Sequence, residues 1–393
     1  MSNIGATPME QPCGVCTGKR ALSIGLPSNN DAEERRFPLT PEAVAVLVDK
    51  GLCVRIQAGA AAPIHYSDDD YLRAGAEIAS RDETLQCDIV ASMPALRESD
   101  IRTMRKGSML LTLYNSYSGN VKALQALSDR SVTAIALDLV EDGGRNRPFA
   151  DILQEIDGRA AIAVASALQA DPIQGKGILM GGVAGIVPCE ITILGSGIAA
   201  CAAARSASGL GATVRMFDND VYRLRSAMRE LGSTVIGSAI HPHVLEGALR
   251  SADVVIATPM RHPVVIGTDL VGVMKRKVIV VDASAVPGLV FPSLTAVDLG
   301  RVCNPSDGDG RKCLYNVSGR VPRTAAMAVS NALVTLFDDI IAGAGTGSAA
   351  GLIRMLPGVQ PAVFSFMGKI VNAQMASSIG ARCADLSLYL SLS

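Results

Sequence analysis

Two parallel-sheet α/β domains are the architecture this sequence predicts. Three observations carry it: short apolar runs alternate with helical patterns, the alternation restarts near residue 190, and small residues far outnumber aromatics. The 393 residues are 49% hydrophobic, with 38 glycines, aromatics at 4% and no Trp. Chains of that texture pack as helix–sheet layers rather than as sandwiches. At about 150 residues per domain the length suits two or three units. Lys and Arg number 36 against 37 Asp and Glu, a net charge of −1. That balance argues against a nucleic-acid or membrane partner, because both surfaces demand a basic excess.

Residues 1–19 read as a loose tail without the apolar core of a secretory signal. The longest apolar-rich stretch, 177–214, is broken by Pro188, Glu190, Arg205 and many glycines, so no membrane span is expected. A cytoplasmic protein is the expectation, and nine scattered cysteines, such as Cys53 and Cys201 inside apolar runs, fit reduced core thiols. Cys13 and Cys16 form a CxxC with no second pair to complete four ligands, so no metal is expected there.

Strands are predicted at 21–26, 52–58, 88–93, 108–113 and 132–139. The first helix has Thr40 as its N-cap, Pro41 and Glu42 in its first turn, Ala43, Val44, Leu47 and Val48 on one face, and Gly51 as its stop. The pattern then restarts, with strands at 190–194, 213–218, 252–259 and 277–283 and a small-residue helix at 197–210. A long helix follows from Thr324. The last 70 or so residues start no third sheet, so they are expected to pack back on the first unit. The predicted organisation is therefore 20–150 with 323–393 as one discontinuous domain, and 151–322 as the other.

The sharpest motif is Gly195-Ser196-Gly197-Ile198-Ala199-Ala200, which follows an apolar strand and opens a helix. Gly195 allows the tight turn, Gly197 lets backbone N–H groups approach a pyrophosphate, and Ala200 permits close helix–strand packing. Asp218 lies about 20 residues further on, at the end of the next strand, where an acceptor for the adenosine ribose belongs. A carboxylate there repels a 2′-phosphate, so NAD is expected in preference to NADP. Arg223, with Arg225 behind it, is the feature that would tolerate a phosphate.

Five stretches extend the picture: Glu34-Arg-Arg-Phe-Pro-Leu-Thr-Pro41, Gly177-Ile-Leu-Met-Gly-Gly-Val-Ala-Gly185, the glycine turn with Asp218, Val321-Pro-Arg-Thr324, and Phe366-Met-Gly-Lys-Ile-Val-Asn372. Through them the chain resembles the alanine dehydrogenase and nicotinamide nucleotide transhydrogenase (NAD-binding subunit) family over nearly all of 20–390. The resemblance implies two Rossmann-like domains with the active site in the cleft between them, and a homo-oligomer, dimer or hexamer.

It also implies that Arg36 binds a substrate carboxylate, a task suited to a planar guanidinium, and that Asn316 lies near substrate and nicotinamide. Three positions depart from the family: Pro94 stands where a substrate-binding lysine belongs, Asn115 where a catalytic histidine belongs, and Val286 near a cleft aspartate, with Asp282 four positions earlier. Asparagine cannot titrate, and oxidising an amine needs a proton acceptor. Asn115, Tyr114 and Asp282 are thus the candidate catalytic residues. Ser116, Glu155 and Asp157 are further polar neighbours.

The expected activity is an NAD-dependent oxidoreductase with an altered site, acting on a carboxylate-bearing amino acid, imine or 2-oxo acid. A transhydrogenase-like NAD(H)-binding subunit without its own small substrate, and an ordinary alanine dehydrogenase, remain the alternatives.

Overall fold

The computed structural model describes residues 22–29, 34–114, 117, 119–173, 175–284, 288–299, 311–343 and 349–392. Along the chain run β1 (Ser23–Leu26), β2 (Cys53–Gln57), β3 (Glu77–Ala79), β4 (Ile89–Ala91), β5 (Met109–Thr112) and β6 (Thr133–Ala136). The second series is β7 (Glu190–Leu194), β8 (Thr213–Phe217), β9 (Val235–Ser238), β10 (Val254–Ala257), β11 (Ile279–Asp282), β12 (Thr295–Asp298) and β13 (Lys312–Tyr315). Two late strands, β14 (Val363–Phe366) and β15 (Lys369–Ile370), complete the set.

They form two sheets, ordered β15-β14-β6-β5-β4-β1-β2-β3 and β12-β13-β11-β10-β7-β8-β9. The second sheet is parallel throughout. The first is parallel from β6 to β3, then β14 runs antiparallel to β6 and β15 antiparallel to β14.

Both sheets are covered on both faces, as parallel sheets require. Along β5, Met109 and Leu111 join one core, with Leu47, Val329 and Phe337 from flanking helices. Leu110 between them joins the other, with Leu124, Leu127 and Phe364. In the second domain Val254 and Ile256 of β10 face one layer and Val255 and Ala257 the opposite one. Continuous apolar runs are the sequence form of this two-sided burial.

Two long helices, Pro148–Ala170 and Pro322–Gly343, connect the sheets. The first packs on the helix Ile198–Gly209, and the contact depends on Gly158: a Cβ there would lie 2.1 Å from the Ala199 carbonyl oxygen. The second is long and apolar enough to cross a membrane by length and composition alone. Here it buries Ala326, Val329, Leu333, Phe337 and Ile340 in the first domain's core.

The expected strands form, most of them a residue or more shorter. Residues 137–139 turn into a single 3₁₀ loop instead of extending their strand. Unforeseen are β3, β9 and β12 to β15. Thr40 also departs from expectation, since its side chain makes no cap bond to the helix Pro41–Asp49. Its N–H instead donates to Ser330 Oγ at 3.0 Å. A tertiary bond to the helix Pro322–Gly343 thus takes the place of the local cap.

Strand register brings the functional residues to two edges. Leu194 pairs with both Phe217 and Ala257, so Gly195, Asp218 and Thr258 emerge side by side at the carboxyl edge of the second sheet. In the first sheet Thr112 pairs with Ala136, which places Tyr114 and Asp138 together at the corresponding edge.

Candidate active site

The glycine turn begins as β7 ends. Gly195 has φ +108°, and a Cβ there would meet Thr258 Oγ1 at 2.2 Å. Thr258 is fixed in turn by donating its hydroxyl to the Leu194 carbonyl at 2.8 Å. Only glycine fits this position. Gly197 is the N-cap of the helix Ile198–Gly209, whose first N–H groups lack intrahelical partners and whose dipole favours an anion. A Cβ at Gly197 would lie 2.5 Å from Arg223 Nη2, so the Arg223 guanidinium covers the cradle. Ile198 is partly exposed, whereas Ala199 and Ala200 are buried against the sheet.

Asp218 is buried beside the turn. Its Oδ2 accepts from Ser196 Oγ at 2.6 Å and its Oδ1 from the Asp220 N–H at 2.9 Å. Next to it opens a cavity of about 700 Å³ lined by Glu155, Ser196, Gly197, Arg205, Tyr222 and Arg223, among others. A glycine cradle that a Cβ would fill, unpaired helix N–H groups, a fixed carboxylate and an arginine together fit a dinucleotide. Glu155 faces this side and pairs with Arg159 at 2.7 Å.

On the first domain, Arg36 follows β1. Its Nε donates to Glu34 Oε1 at 2.8 Å and its Nη2 to Glu34 Oε2, so the fork grips a carboxylate. Asn29 Nδ2 holds the loop by donating to the Glu34 and Arg36 carbonyls at 2.7 and 2.9 Å. Burial opposes the charge on Arg36, but Glu34, with Asp157 and Asp138 beyond it, outweighs burial and raises its pKa.

Asp138, just past β6, accepts the Tyr114 N–H at 2.8 Å. Burial pushes its carboxyl above the ordinary range against the pull of that bond, Arg147 and Arg36. Asp157, on the helix Pro148–Ala170, accepts the Ser318 N–H at 3.2 Å. Burial raises it as well, opposed by hydrogen bonds from Ser318 and by Arg36.

The remaining candidates are occupied by the chain itself. The Tyr114 hydroxyl donates to Asn372 Oδ1 at 3.2 Å, and burial with nearby Asp138 raises its pKa. Asp282 ends β11 and accepts the N–H groups of Ser284 and Gly288, both at 2.9 Å. Both its oxygens thus accept backbone N–H groups of the stretch that follows β11. Asn316 sits in the left-handed region at φ +58° and donates to Asp298 Oδ1 at 2.9 Å. Ser318, two residues on, links the Asn316 turn to Asp157.

Pro94 is half-buried, and its carbonyl accepts from Ser92 Oγ at 3.0 Å. Asn115, Ser116, Val286, Cys13 and Cys16 lie outside the described residues. Among the described residues no group of three metal-ligating side chains is found.

The structure thus brings Arg36 toward Asp157 and, through Ser318, toward the Asn316 turn. It joins Tyr114 to Asp138, and the glycine turn to Asp218 and Arg223. The sequence reading missed Glu34, Asp138, Gly158 and Thr258. Glu34 alone left a local signal, an acid two residues before the arginine it braces.

Two α/β domains, one bearing this glycine turn and the other a braced arginine, have the form of a two-domain dinucleotide-binding protein. Family descriptions agree with that class. The alanine dehydrogenase/PNT N-terminal domain matches residues 25–155, and the C-terminal domain of the same family matches 160–373. An alanine dehydrogenase of Mycolicibacterium smegmatis is 30% identical over 79% of this chain and 85% of its own. A solved L-alanine dehydrogenase superposes with a TM-score of 0.80 at 24% identity, over 91% of this chain and 99% of that one. A transhydrogenase from Sinorhizobium meliloti gives 0.72 at 21%, over 89% and 99%. The chain belongs to the alanine dehydrogenase/PNT family.

Proposed function

We propose that this protein is an NAD-dependent oxidoreductase with an altered active site. It would act on a carboxylate-bearing amino acid, imine or 2-oxo acid, as a homo-oligomer. The observation that carries the reading is the bidentate grip of Arg36 on a carboxylate, Glu34, with Asp138 and Asp157 close by. The fork that holds Glu34 is the one a substrate carboxylate would share. The backbone N–H groups after Gly197 would hold the pyrophosphate, and Asp218 the adenosine ribose. Bound there, the dinucleotide would supply or accept a hydride at its nicotinamide. Asp282 and Tyr114 we assign to positioning, since both are engaged by neighbouring backbone or side chains.

That the site differs from an alanine dehydrogenase is supported by Pro94, which offers no charge, and by Asn115, which cannot titrate. The test has two steps. Fluorescence titration should give tighter binding of NADH than of NADPH, and Asp218→Gly should narrow or invert the preference. With NAD and L-alanine, steady NADH production on the order of 1 s⁻¹ would refute the altered site. NADH-dependent reduction of an imine or 2-oxo acid would support it. Tight NADH binding with silence across such a panel would favour the transhydrogenase-like alternative instead.

A further inference from the structure

We propose that Asp157 is the proton donor to the nitrogen of a C=N substrate, taking the part for which this chain has no histidine. The inference rests on the oxidoreductase reading above and narrows its substrate to an imine bearing a carboxylate.

The position of Asp157 argues for it. It lies on the helix Pro148–Ala170 directly before Gly158, the residue whose missing Cβ lets that helix touch the first turn after the glycine cradle. Ser318 holds its Oδ1 from the other side, two residues beyond Asn316. Arg36 couples to it electrostatically from the first domain. Asp157 thus lies on the helix that packs behind the cofactor turn, is held by the Asn316 loop, and feels the charge of the carboxylate-gripping arginine.

The charges around it suit the task. Arg36 directs its fork at Glu34 and not at Asp157, Asp138 lies beyond, and Ser318 offers only neutral donors. On its own helix, Glu155 and Arg159 pair with each other. On the packed helix Pro322–Gly343, Arg323 stacks on the Tyr66 ring at 4.3 Å. A carboxyl held chiefly by one serine is inefficient as a structural staple. As a group that gives up a proton and then stabilises a cationic nitrogen, it is well provided.

The step balances simply. The imine carbon gains the hydride that the reduced dinucleotide supplies, and the nitrogen gains one proton from Asp157. The resulting carboxylate, stabilised by the charge of Arg36, regains its proton from water.

The experiment assays the full-length protein with NADH against Δ1-pyrroline-2-carboxylate, pyruvate with ammonium, and pyruvate alone. Asp157→Asn is expected to lower kcat on the imines by about 100-fold or more. It should change KM less than about threefold, flatten the pH profile and leave NADH affinity unchanged. Asp157→Glu should recover part of the rate. Independently of turnover, ¹³C-carboxyl NMR of aspartate-labelled protein should show one resonance, absent from Asp157→Asn, that titrates above the usual carboxylate range. That resonance should move when NADH and Δ1-pyrroline-2-carboxylate are added together.

Full imine activity in Asp157→Asn overturns the assignment, as does a resonance with ordinary titration that ignores both ligands. Reduction of pyruvate alone, indifferent to Asp157→Asn, overturns it while leaving the oxidoreductase reading standing. Inactivity with every substrate, together with an unresponsive resonance, sinks both.

Discussion

Asp157 illustrates how a single residue can be placed at a cost to stability. Its carboxyl is raised in the folded protein, so the folded chain binds more protons than the unfolded chain above the ordinary carboxylate pKa. Stability therefore falls as pH rises from that value to the folded one, then levels off. Asparagine keeps the acceptor for Ser318 and carries no charge. Asp157→Asn should accordingly melt higher than the parent at pH 8, with the gap closing near pH 4, as differential scanning fluorimetry across pH would read. At Arg36 the expectation is the reverse, a loss of function with little change in NADH binding. Arg36→Lys keeps the charge but loses the planar fork, and substrate capture should weaken by roughly 1–3 kcal/mol. An unchanged KM for the true substrate would remove Arg36 from the site. Arg36 was legible because a local motif surrounds it. Asp138 was not, because its significance lies in reaching Arg36 across about a hundred residues of chain, and only the sheet register creates that proximity.

Among elements, the glycine turn separates folding from binding. Gly195 combines φ +108° with a Cβ contact of 2.2 Å to Thr258. Gly195→Ala should therefore destabilise the second domain by about 1–3 kcal/mol. Gly197 has an ordinary φ of −84°, and its close neighbour is the mobile end of Arg223. Gly197→Ala should fold normally but obstruct the phosphate approach, weakening NADH binding about tenfold or more with little change in Tm. Equal effects of the two substitutions on Tm would contradict this division. The sequence disclosed β7 to the residue, because a strongly apolar run there stops at a glycine. It concealed β3, β9 and β12, edge strands whose side chains are mostly exposed or half-exposed and whose apolar signal is correspondingly thin. It also concealed Gly158, since a glycine within a helix carries no mark of the neighbour it admits.

At the scale of the molecule, the two-domain plan could be read from the repeated alternation, whereas the antiparallel end of the first sheet could not. Val363, Phe364 and Phe366 are fully or nearly fully buried, and Phe364 packs against Tyr117 with ring centroids 5.5 Å apart. Nothing local distinguishes this four-residue run from a helix or loop, because what defines it is the open edge of β6, more than two hundred residues earlier. Phe364→Ala should cost about 3–5 kcal/mol. Hydrogen exchange should place the loss in β4 to β6 and leave the dinucleotide domain protected.

That returning strand also sets an order of events during synthesis. Six of the first domain's eight strands are translated before the second domain begins, yet β6 has no neighbour on its outer side until residues 363–366 have left the ribosome. At about 5–20 residues per second, the interval is on the order of ten seconds or more. Throughout it Ala134 and Ala136, both without exposed surface in the finished protein, flank an unpaired edge open to other chains. The second domain, contiguous in sequence, is free to form first, and the part of the molecule made earliest is the last to be closed.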